Sequence, residues 1–442
     1  EGALYVYDIY SGGIGEVTSM SGNSIKSLAI DTEGNLIIGT DDGLYVRNYN
    51  GHIDRYCHDS RAKGSLSSNV VWAVMTDNNG NVWLGTEYDV SVAIRNRGFD
   101  VVPLHMLASK TDGNRIHSIF RDSHNYLWLG GTNGIIRCAK DAEKAKWYKM
   151  GNGDYPLNHN RIRDIFEDSS HNLWIATDGS VHLYDYSRQQ FTSLSIRDVS
   201  NSFNANWAYS IKEDSLGRLW VGAYLGGILV ADKNEMLANK NITAIKAFNT
   251  TNGLPNNYIN GIVKSVDDAM WVLLYKGGLL ARYNADNFSR KTIDFHALTN
   301  NYPSYIIADK KSGVWVGYQG GLAKLSNDGT LIKKIEFGVR NPIVILSITQ
   351  ADDYLWIATN AGLWTLNTKT YDLLQQPLPL KEYTAIYYDE LENQVIVGGL
   401  DEITLVNPTD IRKSKRNTKI VATAVYVNDK EYFDSTMSVR CL

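Results

Sequence analysis

The amino-acid sequence predicts an all-β protein, a β-propeller built from four-stranded blades. Three observations predict this fold: an internal repeat of about 45 residues, strand-like alternation inside each repeat, and almost no helical periodicity. Four short strands in each repeat of this length are typical of a propeller blade. The 442 residues are 43% hydrophobic and 21% charged, so the chain can bury a large core.

An apolar anchor residue followed by small residues marks each repeat, as in "NVWLGT", "NLWIAT" and "RLWVGA". Successive anchors are separated by 46, 45, 46, 46, 51, 44, 41 and 40 residues. We interpret the anchor tryptophans as packing between blades, where a large ring from one sheet fills the space that Gly or Ala leaves in the next. The anchors are Ile37, Trp83, Trp128, Trp174, Trp220, Trp271, Trp315, Trp356 and Ile396.

The predicted elements follow the same order in every repeat. A segment such as "IRDIF" predicts the first strand, the anchor segment the second, "VHLYDYS" the third and "FTSLSI" the fourth. Counting seven repeats back from the last one predicts a seven-bladed ring at residues 110–408. Residues 1–109 are then the last blades of a first propeller, and a single nine- or ten-bladed ring is the alternative.

Two polar positions recur at fixed distances before the anchor. An aspartate six residues before it predicts an Asx turn, in which the carboxylate binds backbone N–H groups two residues on. These aspartates are Asp31, Asp77, Asp122, Asp168, Asp214 and Asp309. An asparagine 14 residues before the anchor is predicted to cap the turn that leads into the first strand. These asparagines are Asn23, Asn69, Asn114, Asn160, Asn206, Asn257 and Asn301.

The positions one and three residues after each asparagine vary freely between repeats, whereas the residue between them is nearly always apolar. Variable positions on a repeated scaffold are free to serve function. In an up-and-down blade, the loop before the first strand and the loop between the second and third strands lie on one face. The ligand-binding set predicted on that face is Arg115, His117, Arg161, Arg163, Trp207, Tyr209, Tyr224, Tyr258, Tyr275, Tyr302 and Tyr318.

Flat aromatic rings beside arginines suit a carbohydrate ligand, including an anionic one, because arginine binds carboxylate or sulfate bidentately. The alternative is that several of these rings fill space between blades. We predict no cofactor and no metal, since Cys57, Cys138 and Cys441 are far apart and the histidines lack metal-ligand spacing. The net charge of −4 argues against nucleic acid as a partner.

The sequence lacks the familiar signatures of catalysis. No GxSxG, HExxH, P-loop or dinucleotide-binding fingerprint occurs in a suitable context. We therefore expect this chain not to be an enzyme. A glycosidase pair stays open as an alternative, because carboxylates from different blades can converge.

The repeat resembles the regulator-propeller repeat of bacterial hybrid two-component sensors, in copies such as "DNNGNVWLGTEYDVSV", "DSLGRLWVGAYLGGIL" and "KKSGVWVGYQGGLAKL". The tail "TKIVATAVYVNDKEYF" resembles the start of the immunoglobulin-like Y_Y_Y domain that follows those propellers. Residues 409–442 are accordingly predicted to be a linker and the first strand of that β-sandwich.

This resemblance implies the periplasmic sensor region of an inner-membrane histidine kinase, which detects an oligosaccharide and induces polysaccharide utilisation. It also implies a homodimer in the full-length protein, attached to the membrane only through a C-terminal region that this sequence lacks. We expect the chain to be a fragment of such a protein. The alternative functions are a propeller glycan lyase or hydrolase and a non-catalytic protein-interaction scaffold.

Overall fold

The computed structural model of the chain describes residues 3–17, 23–31, 34–48, 51–60, 65–77, 80–93, 98–108, 113–138, 145–151, 157–275, 277–338, 343–413, 426–427 and 430–431. Three antiparallel sheets precede residue 94, and their strand orders are β1-β2, β3-β4-β5-β6 and β7-β8-β9. These strands are β1 (Tyr5–Tyr7), β2 (Ile14–Glu16), β3 (Ile25–Ile30), β4 (Leu36–Thr40), β5 (Gly43–Arg47), β6 (Ile53–Tyr56), β7 (Val71–Thr76), β8 (Val82–Thr86) and β9 (Val90–Ala93).

Seven further sheets follow, which we number 1 to 7 in chain order of their inner strands. Before them come β10 (Phe99–Pro103) and the short helix α1 (Leu104–Leu107). Sheet 1 contains β11 (Ile116–Arg121), β12 (Leu127–Gly131), β13 (Gly134–Cys138) and β14 (Lys146–Tyr148). Sheet 2 contains β15 (Ile162–Glu167), β16 (Leu173–Thr177), β17 (Ser180–Asp185) and β18 (Gln190–Arg197).

Sheet 3 carries an insertion between its third and fourth strands, which accounts for the long spacing of 51 residues to the next anchor. Its elements are β19 (Ala208–Glu213), β20 (Arg218–Ala223), β21 (Gly227–Asp232), α2 (Lys233–Ala238), β22 (Asn241–Thr243) and β23 (Lys246–Phe248). β22 does not join sheet 3 but pairs parallel with β18, as a fifth strand of sheet 2. The insertion therefore ties two neighbouring sheets together.

The last four sheets repeat the simple up-and-down order. Sheet 4 follows a 3-10 turn (Thr250–Asn252) and contains β24 (Ile259–Lys264), β25 (Ala269–Leu274), β26 (Leu279–Asn284) and β27 (Arg290–Asp294), with α3 (Phe295–Thr299) after it. Sheets 5 and 6 contain β28 (Pro303–Ala308), β29 (Val314–Tyr318), β30 (Gly321–Leu325), β31 (Leu331–Glu336), β32 (Ile345–Ala351), β33 (Tyr354–Thr359), β34 (Gly362–Asn367) and β35 (Leu373–Gln375). Sheet 7 contains β36 (Ala385–Asp389), β37 (Gln394–Gly398) and β38 (Glu402–Val406), and α4 (Pro408–Lys413) follows it.

The seven sheets form a ring. Their inner strands contact one another in the order β11, β15, β19, β24, β28, β32 and β36, and β36 contacts β11. Sheet 7 is completed by β10, which pairs antiparallel with β38 so that Val101 lies opposite Thr404. The all-β propeller of four-stranded blades predicted from the sequence is confirmed. The ring already includes β10, so the boundary predicted between residues 109 and 110 falls inside it.

In several sheets, close approach of the neighbouring sheet requires the glycine that lies two residues after the anchor. A Cβ atom on Gly130 would lie 2.5 Å from Cγ2 of Ile162, the first residue of the next inner strand. Gly222 meets Ile259 of the following sheet at the same distance. Isoleucine, and not the tryptophan ring, therefore fills the space beside these glycines. The predicted packing of anchor rings between sheets is still observed, since Trp174 of sheet 2 clusters with Ala223 of sheet 3. The anchor rings of the ring sheets, such as Trp174, are fully buried in the core clusters.

The recurring aspartate forms the predicted Asx turn and a further bond that the sequence did not predict. In sheet 3, Oδ1 of Asp214 accepts from the backbone N–H groups of Leu216 and Arg218, both at 3.0 Å. Oδ2 of Asp214 accepts from the indole N–H of Trp220 at 2.7 Å. The same indole–carboxylate bond ends on Asp77, Asp122, Asp168 and Asp309 in other sheets.

The recurring asparagine bonds the preceding sheet rather than its own turn. Oδ1 of Asn160 accepts from the backbone N–H of Met150 at 2.6 Å, two residues beyond the outer strand of sheet 1. Its backbone carbonyl accepts from the N–H of Gly134 in the same sheet. Asn257 makes the equivalent bonds to Thr250 and Gly227. The predicted cap of the following turn is therefore wrong at these positions, and the asparagine ties adjacent sheets.

The C-terminal prediction is described only in part. Tyr426–Val427 pairs antiparallel with Lys430–Glu431, within the segment predicted to begin the immunoglobulin-like domain. The rest of that segment beyond residue 413, including Cys441, lies outside the described residues. In the described part of the chain, none of the helices has the length and hydrophobicity needed to cross a lipid bilayer.

We predict that Asp214→Asn lowers the free energy of unfolding by about 1–3 kcal/mol, because an amide replaces a buried carboxylate that accepts four hydrogen bonds from Leu216, Arg218 and Trp220. Chemical denaturation monitored by tryptophan fluorescence measures the loss. Asp286→Asn is the control, since Asp286 is an exposed turn residue and should change stability by less than about 0.5 kcal/mol. Equal effects of the two substitutions would contradict the structural role of the indole–carboxylate bond.

Candidate functional site

A repeated backbone hydrogen bond builds the upper end of the ring, which we define as the end holding the loop before each inner strand. The residue after the second strand donates its N–H to the carbonyl of the residue before the inner strand. This bond joins Asp178 to Arg161 at 3.2 Å, Tyr224 to Trp207 at 2.8 Å and Tyr275 to Tyr258 at 2.9 Å. Each sheet thus sets one variable residue from each loop side by side.

Sheets 3 and 4 place aromatic side chains at these positions, and the rings meet around Tyr224. The centroid of the Tyr224 ring lies 5.3 Å from that of Tyr209, which is nearly parallel to it, and 5.7 Å from that of Trp207. Tyr258 and Tyr275 meet Tyr224 edge-on at 5.0 and 6.1 Å. We call these five residues the Tyr224 cluster. Trp207 is 46% exposed and Tyr275 is 55% exposed, so the cluster presents ring faces to solvent.

Arg161 and Arg163 lie beside this cluster, whereas Arg115 lies next to sheet 7, and each of the three is paired with a carboxylate. Arg163 forms two hydrogen bonds with Asp178, from Nε at 2.6 Å and from Nη2 at 2.9 Å. Its guanidinium carbon also lies 4.1 Å from the centroid of the Tyr209 ring, in cation–π contact. Arg161 approaches the same carboxylate at 3.5 Å, and Arg115 pairs with Glu382 of sheet 7.

His117 extends the site toward the axis of the ring. Burial, reinforced by the guanidinium groups of Arg163 and Arg161, lowers the pKa of His117 to about 4. The imidazole is therefore neutral at physiological pH. It can exchange hydrogen bonds with a ligand without adding positive charge to the arginines around it.

Tyr302 and Tyr318 of the predicted set do not join the Tyr224 cluster. Tyr302 is exposed, but its ring stacks on His296 with centroids 4.6 Å apart. Tyr318 is only 1% exposed and packs near Phe295 in the core, so its predicted place on the ligand-binding face is wrong. It lies three residues after its anchor, whereas Tyr224 lies four after its own. A shift of one residue along a strand turns the side chain to the opposite face.

Two cavities border the Tyr224 cluster. A groove of about 350 Å³ lies on its outer side, between the 202–207 loop and residues Tyr224, Leu225 and Gly226. A cavity of about 280 Å³ lies on the ring axis and is lined by residues of all seven inner strands. Tyr209 of the cluster, and Arg163 in contact with it, also line the axial cavity. The cluster therefore separates two concave surfaces that a chain-like ligand could occupy together.

A larger cavity, of about 510 Å³, lies at the opposite end of the ring. Scaffold contacts already use several of its charges. Arg121 pairs with the buried Asp389 at 2.6 Å, and Glu167 accepts from the backbone and hydroxyl of Ser123 in the preceding sheet. We favour the upper end as the candidate site, because there the variable residues are exposed and aromatic.

Sequence reasoning missed Asp178. Its signal was present, because position four after each anchor supplies the variable residue of the upper loop: Thr132, Asp178, Tyr224, Tyr275, Gln319 and Asn360. The prediction included tyrosines near this loop at any distance from the anchor, and so it included Tyr318. It overlooked Asp178, the carboxylate that contacts Arg161 and Arg163.

The ring of four-stranded sheets with a variable upper end makes this chain a member of the β-propeller class. Comparison with protein families then identifies its repeats. Residues 65–88, 112–133, 156–179 and 202–224 match the family described as two component regulator propeller. The chain therefore carries two-component regulator propeller repeats, as the resemblance implied. No curated protein matches the chain.

Solved structures similar to this chain include extracellular domains of two-component systems. Over 98% of its length, the chain is similar to the extracellular domain of the hybrid two-component system BT4673 of B. thetaiotaomicron, with 36% identity and a TM-score of 0.70. It spans 59% of that domain. A second such domain, from BT3049 of the same organism, has 19% identity and a TM-score of 0.68, with 98% of this chain and 64% of that one covered.

A propeller enzyme shares the fold as well. Virginiamycin B lyase of Staphylococcus aureus is 14% identical, with a TM-score of 0.55, and the match covers 70% of this chain and 98% of the lyase. At this level of identity the similarity shows the fold alone. It gives no reason to place lyase chemistry at the Tyr224 cluster.

We predict that acidification destabilises the chain in part through His117. Its folded-state pKa of about 4 lies below the ordinary value of 6.5, so the unfolded chain binds the proton first as the pH falls. The contribution is lost progressively between pH 6.5 and 4, by up to about 3 kcal/mol at about 1.4 kcal/mol per pKa unit. Denaturant unfolding at pH 7, 6 and 5 should show a shallower pH dependence for His117→Gln.

The exposed His105 provides the control for this measurement. His105→Gln should leave the pH dependence of wild type in place. His182, whose pKa burial also lowers to about 4, contributes equally to all three proteins. A pH dependence in His117→Gln identical to that of wild type would contradict the buried, neutral state of His117.

Proposed function

We propose that this chain is the extracytoplasmic sensing part of a two-component histidine kinase and binds an oligosaccharide at the Tyr224 cluster. The observation that carries the proposal is the cluster itself. Five aromatic side chains from two adjacent sheets converge at one end of the ring, and at least two expose much of their surface. Exposed apolar patches of this kind are typical of binding surfaces.

The chemistry of the cluster suits a sugar. A pyranose presents a flat C–H face that packs on an aromatic ring, while its hydroxyl groups need polar partners at the edge. Ser202, Asn204 and Asn206 line the adjacent groove and supply hydroxyl and amide groups for that purpose. The groove volume of about 350 Å³ lies in the range of small-ligand sites.

The proposed domain plan adds a second propeller before the ring. The β7–β9 sheet leaves Trp83 39% exposed although its indole N–H is bound to Asp77. Leu28 and Ile30 of the β3 strand are also exposed, at 49% and 67%. Further sheets of the same repeat would cover both faces. The proposal places a Y_Y_Y domain after residue 409 and a homodimer in the full-length periplasmic sensor.

In this proposal the chain is not catalytic. Ligand binding would instead change the relative placement of the propeller, the Y_Y_Y domain and the dimer partner. Asp178 and Glu382, the carboxylates that contact the predicted arginines, are held in ion pairs. A glycosidase needs one such group to be protonated and free to deliver its proton, which these contacts do not favour.

We predict that Trp207→Ala combined with Tyr224→Ala weakens oligosaccharide binding by more than about 30-fold, because central aromatic contacts contribute about 2 kcal/mol or more to recognition. Isothermal titration of the 442-residue chain against a panel of polysaccharide fragments measures the affinity. Product analysis of the same mixtures by chromatography tests the enzyme alternative.

Tyr88→Ala is the matched control. Tyr88 is 77% exposed and lies after β8, far in sequence from the cluster, so its loss should leave affinity within about twofold. Binding that survives the double substitution would contradict the proposed site. Release of products from a polysaccharide would favour the lyase or hydrolase, and a panel without any bound fragment would favour the protein-interaction scaffold.

A further inference from the structure

Asp178 occupies a fixed turn at the edge of the Tyr224 cluster. Its N–H donates to the carbonyl of Arg161, and the hydroxyl of Thr177 links the two ends of the turn through Gly179 and Ser180. The Asp178 side chain is only 13% exposed. In the other six sheets of the ring the equivalent position carries a neutral side chain, although it is acidic (Asp41 and Glu87) in the two sheets before the ring. The ring scaffold therefore does not require an acid here.

The carboxylate of Asp178 binds the two guanidinium N–H groups with which Arg163 could bind another anion bidentately. Nε and Nη2 of Arg163 donate to its two oxygens at 2.6 and 2.9 Å, the fork geometry in which arginine binds carboxylates best. Arg161 lies 3.5 Å from the same group. A uronate or sulfate on a ligand would therefore find the strongest anion-binding face of Arg163 already occupied.

The same contact fixes the arginine as part of the stacking surface. With its Nε and Nη2 held by Asp178, Arg163 places its guanidinium carbon over the Tyr209 ring, 4.1 Å from the ring centroid, and Tyr209 stacks on Tyr224. Arg161, Arg163 and Asp178 together carry a single net positive charge. On the far side of His117, Arg115 and Glu382 cancel each other.

We propose that Asp178 determines the charge class of the ligand, so that the Tyr224 cluster accepts neutral oligosaccharides and discriminates against uronate-containing ones. This inference rests on the proposed function, because it presupposes that a sugar binds at the cluster. The sequence allows neutral and anionic sugars because arginines lie beside the aromatic rings; this inference excludes the anionic ones. Asp178 acts as a specificity-determining residue by sequestering Arg163.

Asp178→Asn tests the inference, because it keeps the shape of the side chain and removes the charge that holds the fork. The probes are tetragalacturonate, the same tetramer with its carboxyl groups reduced to alcohols, and the neutral fragment that binds best in the panel. Titration at low and high salt should show that Asp178→Asn gains at least tenfold in affinity for tetragalacturonate over wild type. The gain should shrink at high salt.

Glu382→Gln is the matched control. It removes one negative charge from the partner of Arg115 at the same end of the ring, yet leaves Arg163 bound to Asp178. A general change of electrostatic potential would affect both variants equally, whereas release of the Arg163 fork affects only Asp178→Asn. The inference is overturned if the two variants bind tetragalacturonate within threefold of each other, or if wild type prefers it to the reduced tetramer.

Arg163→Gln gives a second test that does not depend on the folding of Asp178→Asn. Because the fork is already occupied, this substitution should change the affinities for tetragalacturonate and for the reduced tetramer by the same factor, within twofold. A loss at least tenfold greater for tetragalacturonate would show that Arg163 binds the ligand anion and would overturn the inference. If Trp207→Ala with Tyr224→Ala abolishes binding while Asp178→Asn equals Glu382→Gln, only the charge selection fails. If that aromatic variant binds normally, the proposed function fails.

Discussion

The ring depends on the bond between the anchor indole and the turn aspartate. Trp220 lies in the buried second strand of its sheet, where an unpaired indole N–H would cost about 1–3 kcal/mol. Asp214 satisfies it with one carboxylate oxygen and closes the turn with the other. The same six-residue offset recurs along the chain, with serine in place of aspartate at Ser265 before Trp271. One short motif thus buries a large ring and fixes the reversal of the chain beside it.

Hydrogen bonds that recur at the same positions of the repeat hold the backbone of the upper loops. The identity of the side chains on those loops is therefore free to vary. The inter-sheet bonds of Asn160 and Asn257 hold the loop before the inner strand, and the backbone bond from Tyr224 to Trp207 holds the loop opposite. Their side chains are then constrained in position but not in identity. Sheets 3 and 4 use these positions for aromatic rings, and sheet 2 uses them for an ion pair.

The fold and much of the site could be predicted from the sequence because both follow from the repeat. Periodicity identified the sheets, the buried anchors, the five aromatic residues of the Tyr224 cluster, and Arg161 and Arg163 beside it. The repeat could not predict that β10 closes the ring, since that pairing joins residues about 300 positions apart without a local signal. Nor could the repeat show that Tyr318 faces the core, because successive side chains of a strand point to opposite faces and a shift of one residue changes the face.

The arginines show why residue type alone does not define a ligand. From the sequence alone, Arg161 and Arg163 indicate an anion-binding site. Because Asp178 binds the guanidinium group of Arg163, that group instead becomes part of the stacked surface at Tyr209. A guanidinium held flat on a tyrosine offers a face for stacking, whereas a free guanidinium offers a fork for a carboxylate. The second use would require breaking two short hydrogen bonds in a partly buried turn. The arrangement therefore favours ligands that extend the stack over ligands that compete for the charge.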